Sequence, residues 1–238
     1  MVRSLQQKKF RDELGLFVAE GEKCVEELRK GFELVQLFRE SENATRTEIE
    51  QMSGLRTPQG VLGVFKKRQM DNGQWTMDDL VLALDGIQDP GNLGTIIRTC
   101  DWFGVHHIYC SHDTADCYNP KVVQATMGAL ARVQVHYGNL QEWLQELKIK
   151  NSKLKIFGTL LDGKDMYEEL RSKGAKKLRS EGSIIIMGNE GNGISEAVRK
   201  LVTHPIRIPS WPNKEASDVV ESLNVSVATA IVLAAFRQ

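Results

Sequence analysis

No apolar run in this 238-residue chain reaches the ~20 residues that a membrane-spanning helix needs, so none is expected. Charge of one sign is not in excess. Thirty-one Lys and Arg balance 31 Asp and Glu, which argues against a protein that coats nucleic acid through bulk charge and still permits one local basic groove. Cysteine is scarce: Cys24, Cys100, Cys110 and Cys117 form no CxxC pair. The opening MVRSLQQKKFRDELG has basic residues but no apolar core, so no signal peptide is expected, and the thiols should be reduced in a cytoplasmic protein. His106, His107, Cys110, His112 and Cys117 crowd one stretch, but a zinc site wants tighter pairing spread over two loops. The plainer reading is a strand, HHIYC, followed by a polar loop, and no metal is expected. Internal repeats and low-complexity segments are also absent.

What remains is an ordinary globular composition, 41% hydrophobic and 26% charged, in a chain long enough for one large domain or two modest ones. Residues 1–70 read as a small α/β unit. A helix is expected over Ser4 to Glu13, a strand at LFVAEG, an amphipathic helix at EKCVEELRKG with Val25 and Leu28 inward, and a strand at LVQLF. A helix over Arg46 to Met52 and a strand at VLGVF follow. The polar stretch KKRQMDNGQWTMDD, with Asn72-Gly73 as its turn signal, marks a boundary.

From residue 77 to 238 strand and helix patterns alternate. Strands are expected at LVLALD, HHIYC, Arg132 to His136, KIFGT, SIIIM and HPIRIP. Helices are expected at Asn92 to Trp102, Pro120 to Met127, Leu140 to Leu147 and Ser195 to Leu201, with a nearly uniform apolar helix at Ser222 to Phe236. This alternation predicts a mostly parallel, doubly wound α/β sheet. The Lys173 to Arg179 cluster reads as a solvated loop or an RNA phosphate contact.

Three segments place polar residues at strand-to-helix junctions, where α/β proteins build ligand sites. Gly188, Gly191 and Gly193 are spaced G-x-x-G-x-G, unlike the G-x-G-x-x-G of dinucleotide folds, and no G-x-x-x-x-G-K-[ST] loop occurs. Glu190 between them would repel phosphate, so the loop should receive something uncharged or cationic. Counting i, i+4 steps puts Arg98 on one helix face with Gly94 and Trp102. Ser222 suits an N-cap, and Asn224 in an apolar first turn needs hydrogen-bond partners.

Asn92-x-Gly94-x-x-x-Arg98, then Gly188-Asn189-Glu190-Gly191-x-Gly193-x-Ser195, then Glu221-Ser222-Leu223-Asn224-x-Ser226-x-Ala228, resemble in order the three motifs of the SpoU (TrmH-type) RNA 2′-O-ribose methyltransferases of the SPOUT superfamily. Residues 1–70, with KKFRDELGLFVAEGEK, resemble the small RNA-binding domain, similar to ribosomal protein L30e, that many members carry. The resemblance implies a C-terminal trefoil knot, which periodicity alone could not suggest. It implies S-adenosylmethionine (AdoMet) as cofactor, structured RNA as partner with ribosomal favoured over transfer RNA, and a homodimer that completes the site. By motif position Asn92, Arg98, Glu190, Ser222 and Asn224 are the catalytic candidates. Gly188, Asn189, Gly191, Gly193, Ile208, Leu223 and Ser226 are the cofactor-binding ones.

The chain departs from the family pattern in SWPNKEASDVVE, a longer link carrying Trp211, Lys214 and Asp218, which reads as a lid or a longer surface loop. Rival readings are a catalytically silent RNA-binding protein on the same fold, a SPOUT enzyme methylating a base nitrogen, and a nucleotide-dependent oxidoreductase. The intact motifs, the Ser-Leu-Asn run and the glycine spacing respectively count against them.

Overall fold

The run VLGVF is apolar throughout because its strand lies between two others. A computed structural model describes residues 1–68, 80–171, 182–210 and 222–237. The Asn72-Gly73 turn, the Lys173 to Arg179 cluster and Trp211, Lys214, Asp218 and Glu221 lie outside the described residues. Two packing units result: residues 1–72 with 89–101 and 115–134, and residues 73–88 with 102–114 and 135–238.

In the first unit, β1 (Leu16–Glu20) and β2 (Leu34–Arg39) flank β3 (Val61–Lys66) in an antiparallel sheet. Helices α1 (Lys8–Leu14), α2 (Glu22–Leu28) and α3 (Arg46–Met52) belong to it. Val25 and Leu28 are buried, as their spacing requires. Thr45 and Glu48 form a reciprocal cap that starts α3 at the expected residue. The single helix expected over Ser4 to Glu13 is instead a 3-10 turn, Val2–Gln6, then α1, with Gln7 extended between them. The buried Arg11 guanidinium accounts for the break, because it donates to the carbonyls of Leu5 and Gln6 at 2.9 Å each and so satisfies them outside a continuous helix. Helices α4 (Pro90–Trp102) and α5 (Pro120–Thr126) fall in this unit, apart from the last residue of α4. Gly94 lets α4 approach α5, since a Cβ there would overlap Ala125 and the Val122 carbonyl.

The second unit is a six-stranded sheet in the order β6 (Gln134–Gly138), β5 (His107–Ser111), β4 (Leu80–Asp85), β8 (Ser183–Gly188), β7 (Lys155–Asp165), β9 (His204–Arg207). The β4–β5, β4–β8, β7–β8 and β7–β9 pairings are parallel. β4 and β8 are central and buried along their length, which is why LVLALD and SIIIM lack polar alternation. On one face Val81, Ala83, Ile184 and Ile186 pack with Leu140 and Leu144 of α6 (Leu140–Lys150) and Val198 of α8 (Glu196–Arg199). On the final helix, α9 (Val225–Arg237), the Phe236 ring meets Phe157 of β7 edge-on at 4.8 Å.

Several boundaries differ from the expected ones. β6 starts two residues later than Arg132, because Ala129–Ala131 form a 3-10 turn first. KIFGT continues to Asp165: the pairing with β9 shifts between Thr159 and Lys164, and the chain resumes the ladder after this irregularity. Gly163 is needed where β7 passes close to the Ile206 backbone. The short helix α7 (Met166–Arg171) has no counterpart among the expected elements. The last helix begins at Val225, not Ser222. All four cysteines are buried. Among the described residues no helix is long and apolar enough to cross a membrane.

Candidate active site

The C-terminal ends of β4, β5 and β8 lie side by side, which is where an open parallel sheet offers a ligand crevice. Each ends on residues that turn the chain and anchor one another. Gly86 takes φ +72, a left-handed conformation that an L side chain would strain. Its N–H donates to the buried Ser111 Oγ at 2.8 Å, and Ser111 donates to Asp113 Oδ1 at 2.5 Å. Thr114 Oγ1 accepts from the Ile87 N–H at 3.3 Å. The loop after β4 is thus held by hydroxyls at the end of β5. Asp85 Oδ2 accepts from the Ser195 N–H at 2.7 Å, so the same turn also holds the start of α8.

The loop after β8 is organised by Asn189. Its backbone exchanges two hydrogen bonds with Gly193, at 3.0 and 2.8 Å. Its side-chain Oδ1 accepts from the N–H groups of Gly191 at 2.8 Å and Asn192 at 3.2 Å, and its Nδ2 donates to the Gly86 carbonyl at 2.7 Å. The glycines then have distinct reasons. A Cβ on Gly188 would overlap the Gly193 backbone, Gly193 sits at φ +66, and Gly191 has only Asn189 Oδ1 in ordinary contact.

Glu190, at the tip, faces the final helix. Its Oε1 accepts from Asn224 Nδ2 at 2.7 Å and from the Val225 N–H at 2.9 Å. Asn224 in turn caps α9: its Oδ1 accepts from the N–H of Ser226 at 3.1 Å and from Ser226 Oγ at 2.6 Å. A carboxylate at the N-terminus of a 13-residue helix is favourably placed against the helix dipole.

Seven of the sequence candidates therefore form one connected structure: Gly188, Asn189, Glu190, Gly191, Gly193, Asn224 and Ser226. Ser222 is exposed and precedes the helix, so it is not the cap; Asn224 is. Asn224 is correspondingly exposed rather than buried in an apolar turn. Leu223 is 49% exposed, and Ile208 follows β9 half-buried. Asn92 and Arg98 lie on α4, in the other unit. Asp89 caps that helix, accepting from the Asn92 N–H at 2.8 Å. Arg98 is exposed, as is Trp102, whereas Gly94 on the same i, i+4 line is buried. In the sequence Asp85 reads only as a breaker with Gly86, and Ser111 and Thr114 were passed over. The signal was there in the polar residues directly after apolar strands, LALDG and IYCSHDT. Among the described residues no three His, Cys, Asp or Glu side chains converge as a metal site.

Comparison with known proteins agrees with this geometry. Residues 79–234 match the model of the SpoU rRNA Methylase family, and residues 1–51 match the MRM3-like substrate binding domain. The chain is 30% identical to the 23S rRNA (guanosine(2553)-2′-O)-methyltransferase RlmP of Bacillus subtilis, over 97% of this chain and 92% of that one. It superposes on an RNA methyltransferase assigned to the TrmH family from Porphyromonas gingivalis with a TM-score of 0.85 and 34% identity, covering 99% and 95% of the two chains. The AdoMet-bound rRNA methyltransferase of Sinorhizobium meliloti gives 0.79 and 27%, covering 99% and 92%. Two motifs joined by the Glu190–Asn224 hydrogen bond, and a family model matched over residues 79–234, mean that the chain belongs to the SpoU rRNA methylase family.

Proposed function

We propose that this protein transfers a methyl group from AdoMet to a ribose 2′-hydroxyl of ribosomal RNA. The observation that carries the reading is the Glu190–Asn224 hydrogen bond, which joins the glycine loop and the Ser-Leu-Asn run into one site at the carboxyl edge of the sheet. The naming of RlmP as a 23S rRNA 2′-O-methyltransferase supports ribosomal over transfer RNA.

The residues fit AdoMet. The 188–195 loop contains no Lys or Arg, as suits a sulfonium ligand without phosphate. Leu223 leaves apolar surface in water at the loop's partner segment, and Ile208 adds another half-buried apolar side chain, both suited to a planar base. On this reading Gly188, Ile208 and Leu223 hold the cofactor through backbone and apolar surface. Asn189, Gly191 and Gly193 shape the loop, and Ser226 and Asn224 fix its far side. Bound AdoMet supplies an electrophilic methyl group.

A ribose hydroxyl is a weak nucleophile, so its developing negative charge needs a partner. Arg98 is that partner. A guanidinium stays charged and has no acceptor, so it stabilises the oxyanion while solvent or an RNA phosphate takes the proton. Asn92, Glu190, Ser222 and Asn224 orient the reacting groups. Residues 1–70 hold RNA, and residues 77–238 form the knotted methyl-transfer domain. We place the enzyme in the cytoplasm as a homodimer; Val227, 49% exposed on an otherwise largely buried α9, supports a second chain covering that helix. Light scattering on the purified protein reports the dimer directly.

Mapping 2′-O-methyl positions in total RNA from cells with and without the gene tests the function. A ribosomal ribose methylated only when the gene is present is the expected result. Identical maps, or a lost base methylation, would overturn it.

A further inference from the structure

The helix that carries Arg98 packs with the N-terminal residues: 89–101 group with 1–72 and 115–134. The side chains show how. Arg132, just after the Ala129–Ala131 turn, reaches carboxylates on two separate helices. Its Nε and Nη2 donate to Asp101, on the last turn of α4, at 2.9 and 2.7 Å, and its Nη1 donates to Glu27 of α2 at 2.8 Å. The planar fork of a guanidinium can engage both acids at once, where an ammonium would serve as a point charge. Asp101 first and Glu27 second hold Arg132 firmly protonated, and Lys30 with Arg132 draws the Glu27 carboxyl below its ordinary range. An isolated surface ion pair would matter little, but a bidentate arm within a network of Arg132, Asp101, Glu27 and Lys30 is the geometry in which such pairs set position. Asp101 is three residues beyond Arg98, less than one helical turn. Close packing backs the bridge: Gly94 admits Ala125 of α5, and Gly128, at φ +90, leaves no room for a Cβ beside Glu27. The Cys24 thiol of α2 also lies 3.9 Å from the Val123 carbonyl of α5.

We propose that Arg132 is a positioning residue for methyl transfer. Through Asp101 and Glu27 it fixes the Arg98 helix in the frame of the N-terminal module, so that RNA held by residues 1–70 meets Arg98 at a set distance. The inference rests on the methyl-transfer reading above.

The test uses the full chain, labelled AdoMet and unmodified 23S rRNA transcribed in vitro, read as single-turnover transfer. Arg132→Gln should slow transfer by about tenfold, the scale of a modest misplacement of a reacting group. AdoMet affinity by calorimetry and RNA half-saturation should stay unchanged. Glu27→Gln, which weakens the arm to α2 together with the Lys30 pair, and the near-isosteric Asp101→Asn should each slow transfer too. Neither should add to Arg132→Gln, since all three break one linkage. Arg132→Lys should recover part of the rate. A merely structural role would lower the melting temperature and leave the rate of the folded protein unchanged. Transfer at the wild-type rate by Arg132→Gln, or by Glu27→Gln alone, overturns the inference. A wild-type protein that methylates no ribose in this assay overturns the methyl-transfer reading and the inference with it.

Discussion

Glu190 and Asn224, 34 residues apart, meet through a 2.7 Å hydrogen bond from Asn224 Nδ2 to Glu190 Oε1. The same carboxylate oxygen takes the Val225 N–H, and the same amide caps α9 through Ser226. One contact therefore sets both the tip of the glycine loop and the first turn of the last helix. Asn224→Ala removes the cap and one partner of Glu190. It should lower stability by about 1 kcal/mol and weaken AdoMet binding, as thermal melting and calorimetry would show. Glu190→Gln keeps an acceptor for the same donors but loses the charge at the helix N-terminus, so its stability loss should be the smaller one.

AdoMet should bind in the presence of a chelator, because the site proposed for it uses backbone, amide and apolar groups. Calorimetric titration with and without the chelator measures this. Loss of binding on chelation would require a different site.

Replacing Arg98 by Ala should reduce transfer by ~10²-fold or more, the scale of losing one oxyanion contact. AdoMet affinity should hold, since Arg98 is assigned to the ribose oxygen. Arg98→Lys should also fail, because a point charge does not reproduce a planar fork. Single-turnover rates set beside AdoMet titrations separate the two effects. Near-normal turnover in Arg98→Ala would remove the residue from the mechanism.

The three loop glycines should respond differently. Gly188→Ala forces a methyl into the Gly193 backbone and should cost ~1–3 kcal/mol along with AdoMet binding. Gly193→Ala meets open space but holds a left-handed φ, for a loss of roughly 1 kcal/mol. Gly191→Ala should fold like the wild type, its nearest neighbour being Asn189 Oδ1 at 3.5 Å. Denaturation midpoints of the three variants would rank them, and equal losses would contradict the loop geometry.

Stability should fall in alkali. Burial pushes the Cys24 thiol up to about 11 from its ordinary 9.0 and raises Cys100 and Tyr118 as well. In each case the folded protein keeps a proton that the unfolded chain releases, near 9.0 for the cysteines and 10.0 for the tyrosine. Their contribution is complete below those values and is lost as pH rises through them toward the folded ones. Urea midpoints should be flat around pH 8 and decline above pH 9, with Tyr118→Phe flattening the steepest part. A midpoint constant to about pH 10.5 would mean that these groups are not buried.

Local chemistry was enough for most elements. Thr45 and Glu48 mark the start of α3, Asp85-Gly86 ends β4, and unbroken apolar runs announce central parallel strands, because each signal depends on neighbours a few residues away. The motif residues were legible as candidates through their resemblance to the family's three motifs, since Arg98 lies in mid-helix and has a plain structural reading when taken alone. What failed was reading through irregularity. The strand expected at KIFGT does not stop at Thr159 but shifts its pairing and continues to Asp165. Ser222 looked like a cap, but Asn224 holds the amides that a cap must hold.

By itself, then, the sequence determined the alternation of strands and helices and the apolar faces, since period and capping are properties of short stretches, and it named the candidate residues through motifs that resemble the family's. Only the tertiary structure decided what those residues do. Asn189 spends its amide on Gly86, 103 positions earlier, and Glu190 turns to the last helix. The segment carrying Arg98 packs with the N-terminal unit, although it follows the boundary expected from composition. Hydrogen bonds and close approaches of this kind join segments that no local window contains, so they exist only once the chain has folded.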